Sequence, residues 1–395
     1  MPRVLYLAFD VVPSPKGAST HILHFLRGLV NPPSGHRGFE VHLFTPGDGV
    51  LPSEDTIEGA RVTRVPPPVG GGNFLARAAA FGQAALAHVA AAPPYDVVHY
   101  RSVWGGFQLA REKKRFGYRT LFEVNGLPSM ELKYHYPGLE PALLAKIKEQ
   151  ELATLHLSDA IVCPSRVTRD YLASLGVDRG TVTVIPNGVS PSDFSPSPLP
   201  GREGRVPVLL YVGTLADWQG LDVLIRALPK MLARRPVRLQ IVGRGRSRQR
   251  KLLSKQVRKL GLEQHVAFQP AVPHHQVPAV MAAADLCVAP LGLNDRNVTQ
   301  GACPIKVLEA MAAGRPLLAA NLPIVRELAR EDVDALLFSP NDPDDLAQKA
   351  LSLLDDVSLS QRLADSASAR ALGSFTWHEA QKRLGKVYEK LLAGD

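Results

Sequence analysis

The chain has 395 residues, 45 % of them apolar, which is too long for one compact domain of usual size and ample for two hydrophobic cores. Its 46 basic and 37 acidic residues leave a formal charge of +9, with a sequence pI of about 9.5; that excess suits an anionic ligand or an acidic membrane surface. Nucleic acid is set aside because no basic segment carries the interleaved aromatic residues of a base-stacking platform.

Cys163, Cys287 and Cys303 lie far apart and make no metal-ligand spacing. They are expected as buried small residues of a protein in a reducing cytosol. The N-terminus, Met1-Pro2-Arg3 and a six-residue apolar run, is expected as a first strand, being too short for a signal peptide. The Ala-rich stretch Phe74 to Ala92 is interrupted by Arg77, Gln83 and His88, so no bilayer span is expected and any membrane contact would be peripheral.

Taken in order, Val4 to Phe9 reads as a buried strand. The loop Asp10 to Ala18 follows, with Pro13, Pro15 and Gly17, and Ser19-Thr20 are expected to cap a helix from His21 to Val30. A strand, a glycine-bearing loop and a helix N-terminus offer backbone N–H groups to an anion, or make a plain turn. Strands are predicted at Val41–Thr45, Val62–Val65, Asp96–Tyr100 and Thr120–Val124, and helices at Phe74–Val89 and Trp104–Arg115. Such alternation means a parallel sheet with helices on its faces. His99, Arg101, Glu123 and Asn125 sit at strand ends, where open α/β sheets place their sites.

Gly126 to Pro141 is expected to be a long polar and aromatic loop, a lid or binding loop. Arg111, Lys113, Lys114, Arg115 and Arg119 cluster as a solvated helix end or a contact for acidic lipid. Strands Ala160–Cys163 and Val182–Ile185 lead to Pro186-Asn187-Gly188-Val189 and a linker, Ser190 to Arg205, holding Pro191, Pro196, Pro198 and Pro200.

A second alternation begins with strand Val208–Val212 and the turn Gly213–Gly220. Helix Leu221–Ala233, strand Val237–Val242, the turn Gly243-Arg244-Gly245 and a strongly basic helix Ser247–Leu260 come next. Strand Val266–Phe268, helix Val277–Ala283 and strand Leu286–Ala289 lead to the stretch Pro304 to Pro316. There Ile305, Leu308 and Met311 recur at helical spacing, leaving Lys306 and Glu309 together near a loop-to-helix entry. The pair can grip a phosphate and a sugar hydroxyl, or be an ordinary solvated pair. Gly314 stops this helix before the strand Leu317–Ala320, and helices near Pro343–Leu354, Leu359–Leu372 and Trp377–Leu392 close the chain. The Gly-Arg-Gly turn lacks the third glycine of a dinucleotide fingerprint, and no nucleophile elbow, Walker sequence or zinc spacing is present.

Several segments in one order resemble the retaining glycosyltransferases of family four. They are Gly17-Ala18-Ser19-Thr20-His21, Asp96-Val97-Val98-His99, Val184-Ile185-Pro186-Asn187-Gly188-Val189, Tyr211-Val212-Gly213-Thr214-Leu215, Val242-Gly243-Arg244-Gly245, Lys306 to Pro316 and Phe375-Thr376-Trp377. The resemblance implies an α/β fold of GT-B type: two facing Rossmann-like domains, at 1–195 and 206–374, with a C-terminal helix at 375–395 returning to the first. It further implies a nucleotide-diphosphate-sugar donor on the second domain, a hydroxyl acceptor on the first, and neither a metal nor a resident cofactor.

Glu309 matches the second glutamate of the family's E-x7-E motif, which holds the nucleotide ribose. Four positions depart from the family pattern. Gly301 stands where the first glutamate is expected, Thr214 and Gln219 stand where an Arg and a Lys usually clamp the diphosphate, and Asn125 replaces a histidine. Lys306 is the natural substitute for the missing cations, because a leaving diphosphate needs strong donors. The resemblance makes Lys306, Glu309 and Asn125 the catalytic candidates. The substrate-binding candidates are Gly17, Ala18, His99, Arg101, Gly213, Thr214, Gln219, Gly243 and Arg244, with the run Ala302, Cys303, Pro304, Ile305, Lys306 and Glu309.

The expected activity is metal-independent retaining transfer of a sugar to a glycan, lipid-linked or small-molecule hydroxyl. The expected location is the cytoplasm, with peripheral contact to an acidic membrane left open. The alternatives are a GT-B sugar phosphorylase, a nucleotide-sugar epimerase and a non-catalytic nucleotide-sugar-binding subunit.

Overall fold

A computed structural model describes residues 1–68, 72–196, 198–201 and 204–394. Ser197, Arg202 and Glu203 of the expected linker and Asp395 of the expected closing helix lie outside the described residues.

The chain divides into two compact units. The first comprises Met1–Pro186, the short segment Gln300–Ala302 and residues 378 onward; the second comprises Asn187–Thr299 and Cys303–Trp377. The division therefore falls at Pro186, ahead of the Pro-rich stretch. Asn187 belongs with the second unit because its Nδ2 donates to the carbonyl of Cys303 at 2.7 Å. Val189 pairs with Thr376 as an isolated bridge.

The first unit holds an eight-stranded sheet in the order β3-β4-β2-β1-β5-β6-β7-β8. Its strands are β1 (Arg3–Leu7), β2 (Glu40–Pro46), β3 (Glu54–Ile57), β4 (Ala60–Val65), β5 (Val97–Tyr100), β6 (Arg119–Glu123), β7 (Ala160–Cys163) and β8 (Val182–Val184). All neighbours run parallel except β3, an antiparallel edge on β4. The second unit holds a six-stranded parallel sheet ordered β11-β10-β9-β12-β13-β14. Its strands are β9 (Val208–Val212), β10 (Arg238–Val242), β11 (Val266–Gln269), β12 (Leu286–Ala289), β13 (Leu317–Ala320) and β14 (Leu336–Phe338). Strand order reverses at β1 in one sheet and at β9 in the other. In each sheet the C-terminal ends of the strands at that reversal are where open α/β sheets bind ligands.

Burial explains the strands. In β1, β5, β9, β12 and β13 nearly every residue is buried, as parallel strands covered on both faces require. Leu5 and Leu7 join a core with Phe81, Ala85, Val98, Tyr100, Leu109 and Phe122. Helix Phe74–Ala91 feeds that core with Phe81, Ala85 and Val89. By length and composition it is apolar enough to cross a membrane, with a mean hydropathy of 1.2, contrary to the expectation that no segment qualifies. Only one face of it, with Ala78, Phe81, Gly82, Ala85 and Val89, is buried against the first unit's core.

Two local expectations are corrected. The helix expected from His21 begins at Gly17, so Ser19 and Thr20 lie inside its first turn; Ser19 Oγ instead accepts from the Ser14 N–H at 2.9 Å. The expected loop at 126–141 contains helix Pro128–His135, and a second helix, Pro141–Leu157, follows it, each with proline in its first turn. The basic cluster around Arg111 is partly paired: Lys113 Nζ lies 2.8 Å from Asp159, which Arg119 also reaches at 4.0 Å, and Arg115 pairs with Glu112.

Candidate active site

In the second unit the loops after β9 and β10 and helix Ile305–Ala312 bring Gly213, Thr214, Gln219, Gly243 and Lys306 together. Lys306 Nζ donates to the Tyr211 hydroxyl at 2.8 Å and to Gln219 Oε1 at 2.5 Å. It also stands 4.1 Å from the centroid of the Tyr211 ring, a cation–π arrangement. The Tyr211 hydroxyl in turn donates a hydrogen bond to the Thr214 carbonyl at 2.5 Å, and Gln219 Nε2 approaches Thr214 Oγ1 at 3.4 Å. Both turns need glycine: a Cβ on Gly213 would lie 2.7 Å from Lys306 Nζ, and one on Gly243 would lie 1.7 Å from the Gly213 carbonyl oxygen. Bare backbone is thus the only chain that fits beside this amine.

Burial pushes the Lys306 amine down to about 7, with Glu309 opposing and Arg296 adding to the effect. Among the described residues no carboxylate forms an ion pair with it. Neither the solvated-pair reading nor the simple amphipathic one survives, since burial runs from Val307 through Ala312 and takes in Glu309, 6 % exposed. Glu309 Oε1 meets His274 Nε2 at 3.0 Å, and that bond raises the imidazole's affinity for its proton. Lys306 and Glu309 thus share one helix but hold different partners.

Arg244 is exposed, and its carbonyl accepts from the Leu215 N–H at 2.9 Å. Pro304 is the helix N-cap residue and Ile305 is half-buried. Cys303 is buried, with its thiol pushed up to about 12 by burial and its carbonyl taken by Asn187. Ala302, also buried, is grouped with the first unit.

In the first unit the ends of β1, β5 and β6 assemble a network around Glu123, 2 % exposed. Its Oε1 receives Arg101 Nε at 2.7 Å, lies 2.8 Å from His21 Nε2, and accepts from Asn125 Nδ2. Its Oε2 accepts from the Tyr6 hydroxyl at 2.6 Å and lies 3.1 Å from His99 Nε2. Burial opposes ionisation, yet Arg101 and His21 outweigh it and hold the carboxyl well below the usual range. Arg101 also contacts Asp10 at 3.2 Å.

His99 was expected to bind substrate. It is fully buried, with Nε2 on Glu123 and Nδ1 2.9 Å from the Tyr388 hydroxyl, and burial lowers its proton affinity. With both nitrogens engaged inside the protein, it supports Glu123 and has no atom for a ligand. Arg101, 8 % exposed, is likewise committed to carboxylates. Gly17 and Ala18 form the first turn of helix Gly17–Val30, Gly17 exposed and Ala18 half-buried, so their N–H groups are among those with no intrahelical acceptor.

Gly301 has φ +82°, and a Cβ there would lie 2.7 Å from the Thr168 nitrogen and 2.8 Å from Ser165 Oγ. The neighbouring Gln300 accepts from the Leu127 N–H through Oε1 at 2.9 Å and donates to Glu131 at 3.1 Å. A glutamate has no room at this position. The sequence reading missed His274 and Tyr6, and took His21 and Tyr211 only as parts of resembling segments. Tyr211 alone carried a usable signal, a lone hydroxyl in the apolar strand just before Gly213.

Among the described residues no group of three or more His, Cys, Asp or Glu side chains is arranged to hold a metal.

Comparison with known proteins accords with this architecture. Residues 206–356 match the family model described as "Glycosyl transferases group 1", and residues 15–193 match "Glycosyltransferase Family 4". An uncharacterised glycosyltransferase of Methanocaldococcus jannaschii is 25 % identical over 94 % of both chains. The sucrose-phosphate synthase of Thermosynechococcus elongatus superposes with a TM-score of 0.84 at 20 % identity, covering all of both chains. Anabaena HepE, solved in complex with UDP and glucose, gives a TM-score of 0.76 at 17 % identity over 99 % of this chain and 100 % of its own. With two glycosyltransferase models matched in series over two doubly wound sheets, the chain belongs to the group 1, family 4 glycosyltransferases and has their GT-B fold.

Proposed function

We propose that this enzyme moves a sugar from a nucleotide-diphosphate donor to a hydroxyl acceptor with retention at the anomeric carbon and without a required metal. The observation that carries the reading is Lys306. Its amine is partly desolvated, lacks a carboxylate counter-ion among the described residues, and sits at the switch point of the second sheet beside the bare backbone of Gly213 and Gly243. A diphosphate brings the charge that such a group lacks, and its charge grows as the sugar leaves. Glu309, buried three residues on, holds the ribose hydroxyls in this scheme. The bond from the anomeric carbon to the diphosphate oxygen breaks, the acceptor oxygen bonds on the same face, and the acceptor proton passes to the departing diphosphate. Asn125 orients that hydroxyl. Anabaena HepE, with UDP and glucose bound, supports a nucleotide sugar as the donor class. The same reading places the enzyme in the cytosol, with peripheral contact to an acidic membrane surface.

The test is a thermal-shift screen over UDP-, GDP- and ADP-sugars, followed by assay of nucleoside diphosphate release, since a ligand bound only by the folded state raises its melting temperature. Slow release of nucleoside diphosphate from a bound sugar nucleotide is the expected result. Phosphate-dependent release of sugar phosphate, an epimerised donor, or binding with no turnover overturns the assignment in favour of a phosphorylase, an epimerase or a non-catalytic subunit respectively.

A further inference from the structure

The charge of this protein is concentrated in one place. Between Arg244 and Lys259 stand Arg244, Arg246, Arg248, Arg250, Lys251, Lys255, Arg258 and Lys259, with no acidic residue among them; without these eight the chain has 38 basic residues against 37 acidic. All eight are exposed. Most belong to helix Ser247–Lys259, which turns Gln249 and Val257 inward and is anchored by Gln256 Nε2 on the Asp222 carbonyl at 2.9 Å. Among the described residues Arg248, Lys251, Lys255, Arg258 and Lys259 have no ion-pair partner. Around Lys113, by contrast, Asp159 and Glu112 pair three of the basic side chains.

Those five positions follow one another at helical spacing, so they line one outward face about 17 Å long. Leu252 lies on the same face, 54 % exposed. A stripe of that length is too extended for one small anion, and no aromatic residue lies between Arg244 and Lys259 for bases to stack on. An apolar side chain set among lysines and arginines gains at a boundary that is charged on top and hydrocarbon beneath.

We infer that the outward face of helix Ser247–Lys259 is a docking surface for an anionic lipid bilayer, recognised through its headgroup charge with Leu252 entering the interface. This names the surface behind the peripheral contact proposed above, and it is tested by binding alone, so its failure and that of the transfer reading appear in different experiments.

The purified full chain is sedimented with vesicles of phosphatidylcholine alone and of phosphatidylcholine mixed with phosphatidylglycerol, at low and high sodium chloride. Binding to the mixed vesicles only, reversed by salt, is expected. The triple variant R248E/K251E/K255E should weaken it at least about tenfold, as loss of several surface-adsorbing charges implies, and Leu252→Ser should weaken it by a smaller factor. The pair K114E/R115E serves as a charge-reversal control at another basic surface and should bind as the unsubstituted protein does. All these positions are at the surface, and unchanged circular dichroism and melting temperature exclude misfolding. The inference is overturned by equal binding to neutral vesicles, by no binding to either, by full binding of the triple variant, or by loss in K114E/R115E instead. Salt-sensitive binding to a duplex oligonucleotide without vesicle binding would overturn it in favour of nucleic acid.

Discussion

Lys306 and Tyr211 act as one group: the ammonium lies 4.1 Å from the ring centroid and 2.8 Å from the hydroxyl of the same side chain. The strand residue both positions the lysine and supplies a polarisable face for its charge. Replacing Lys306 by Ala or Met should lower kcat/KM about 10²- to 10³-fold, the cost of one strong donor at a developing anion. Tyr211→Phe keeps the ring and should cost roughly tenfold, about one RT-scaled decade. Stability should move the other way. The folded amine titrates near 7 and the unfolded one near 10.4, so the penalty is full below pH 7 and disappears once lysine is neutral in both states. Melting curves of Lys306→Met should therefore lie above those of the unsubstituted protein at pH 7 and converge with them toward about pH 10. Donor KM should rise as pH climbs past 7, because the ligand-free amine is then losing its proton.

Glu123 determines which way Asn125 points. An amide beside a carboxylate must turn its nitrogen toward it, and Asn125 Nδ2 donates to Glu123 Oε1, so the amide oxygen is the atom left to accept from an acceptor hydroxyl. Asn125→Ala should lower acceptor-dependent transfer about tenfold, the worth of one hydrogen bond, while donor hydrolysis to water stays near its starting rate. Equal loss of both rates would reduce Asn125 to a structural part. Removing the charge with Glu123→Gln leaves Arg101 with Asp10 as its one carboxylate among the described residues and should cost roughly 1–3 kcal/mol in urea denaturation.

Restoring the family's glutamate at position 301 should fail. Gly301 needs φ +82° and tolerates no Cβ against Thr168 and Ser165. Gly301→Glu should lose roughly 1–3 kcal/mol of stability from backbone strain, visible as a lower denaturation midpoint, with no gain in transfer. A variant both stable and more active would show that the loop can remodel.

His42 should set part of the acid limit of stability. Its Nδ1 lies 2.9 Å from the Tyr95 hydroxyl and its Nε2 2.8 Å from Thr63 Oγ1, while His88 meets the same Tyr95 hydroxyl at 2.9 Å. Burial, then the neighbouring His88, takes the His42 imidazole down to about 4. Above pH 6.5 it is neutral in both states and costs nothing. As pH falls from 6.5 toward 4 the unfolded chain takes up a proton that the folded one refuses, and stability drops by roughly 3 kcal/mol at most. In His42→Gln, denaturation midpoints measured across that window should fall less steeply.

Most of the fold is legible in the sequence wherever a strand is buried on both faces. Val208–Val212, Leu286–Ala289 and Leu317–Ala320 are unbroken apolar runs, and the structure places strands on those same residues. Where burial is sparse the signal fades. Edge strand Glu54–Ile57 has no buried residue, and helix Pro141–Leu157 buries only Ile147, Glu151, Thr154 and Leu155, so neither left a periodic pattern to read.

The site divides along the same line. Lys306, Glu309, Gly213 and Gly243 can be named as candidates from the sequence because each lies in a short segment that carries the family resemblance, at a helix entry or at a turn after a strand. The partners of those residues cannot. Tyr211 and His274 reach Lys306 and Glu309 from other elements, and the Glu123 network draws on residues from Tyr6 to Tyr388. By itself the sequence determined the alternation of strands and helices and the identity of the charged groups, since hydrophobic pattern and side-chain chemistry are local. Only the tertiary structure decided that His99 is sealed in the core, that Glu309 faces a histidine and that Lys306 rests on a tyrosine ring, because desolvation and partner choice depend on what the fold packs around each group.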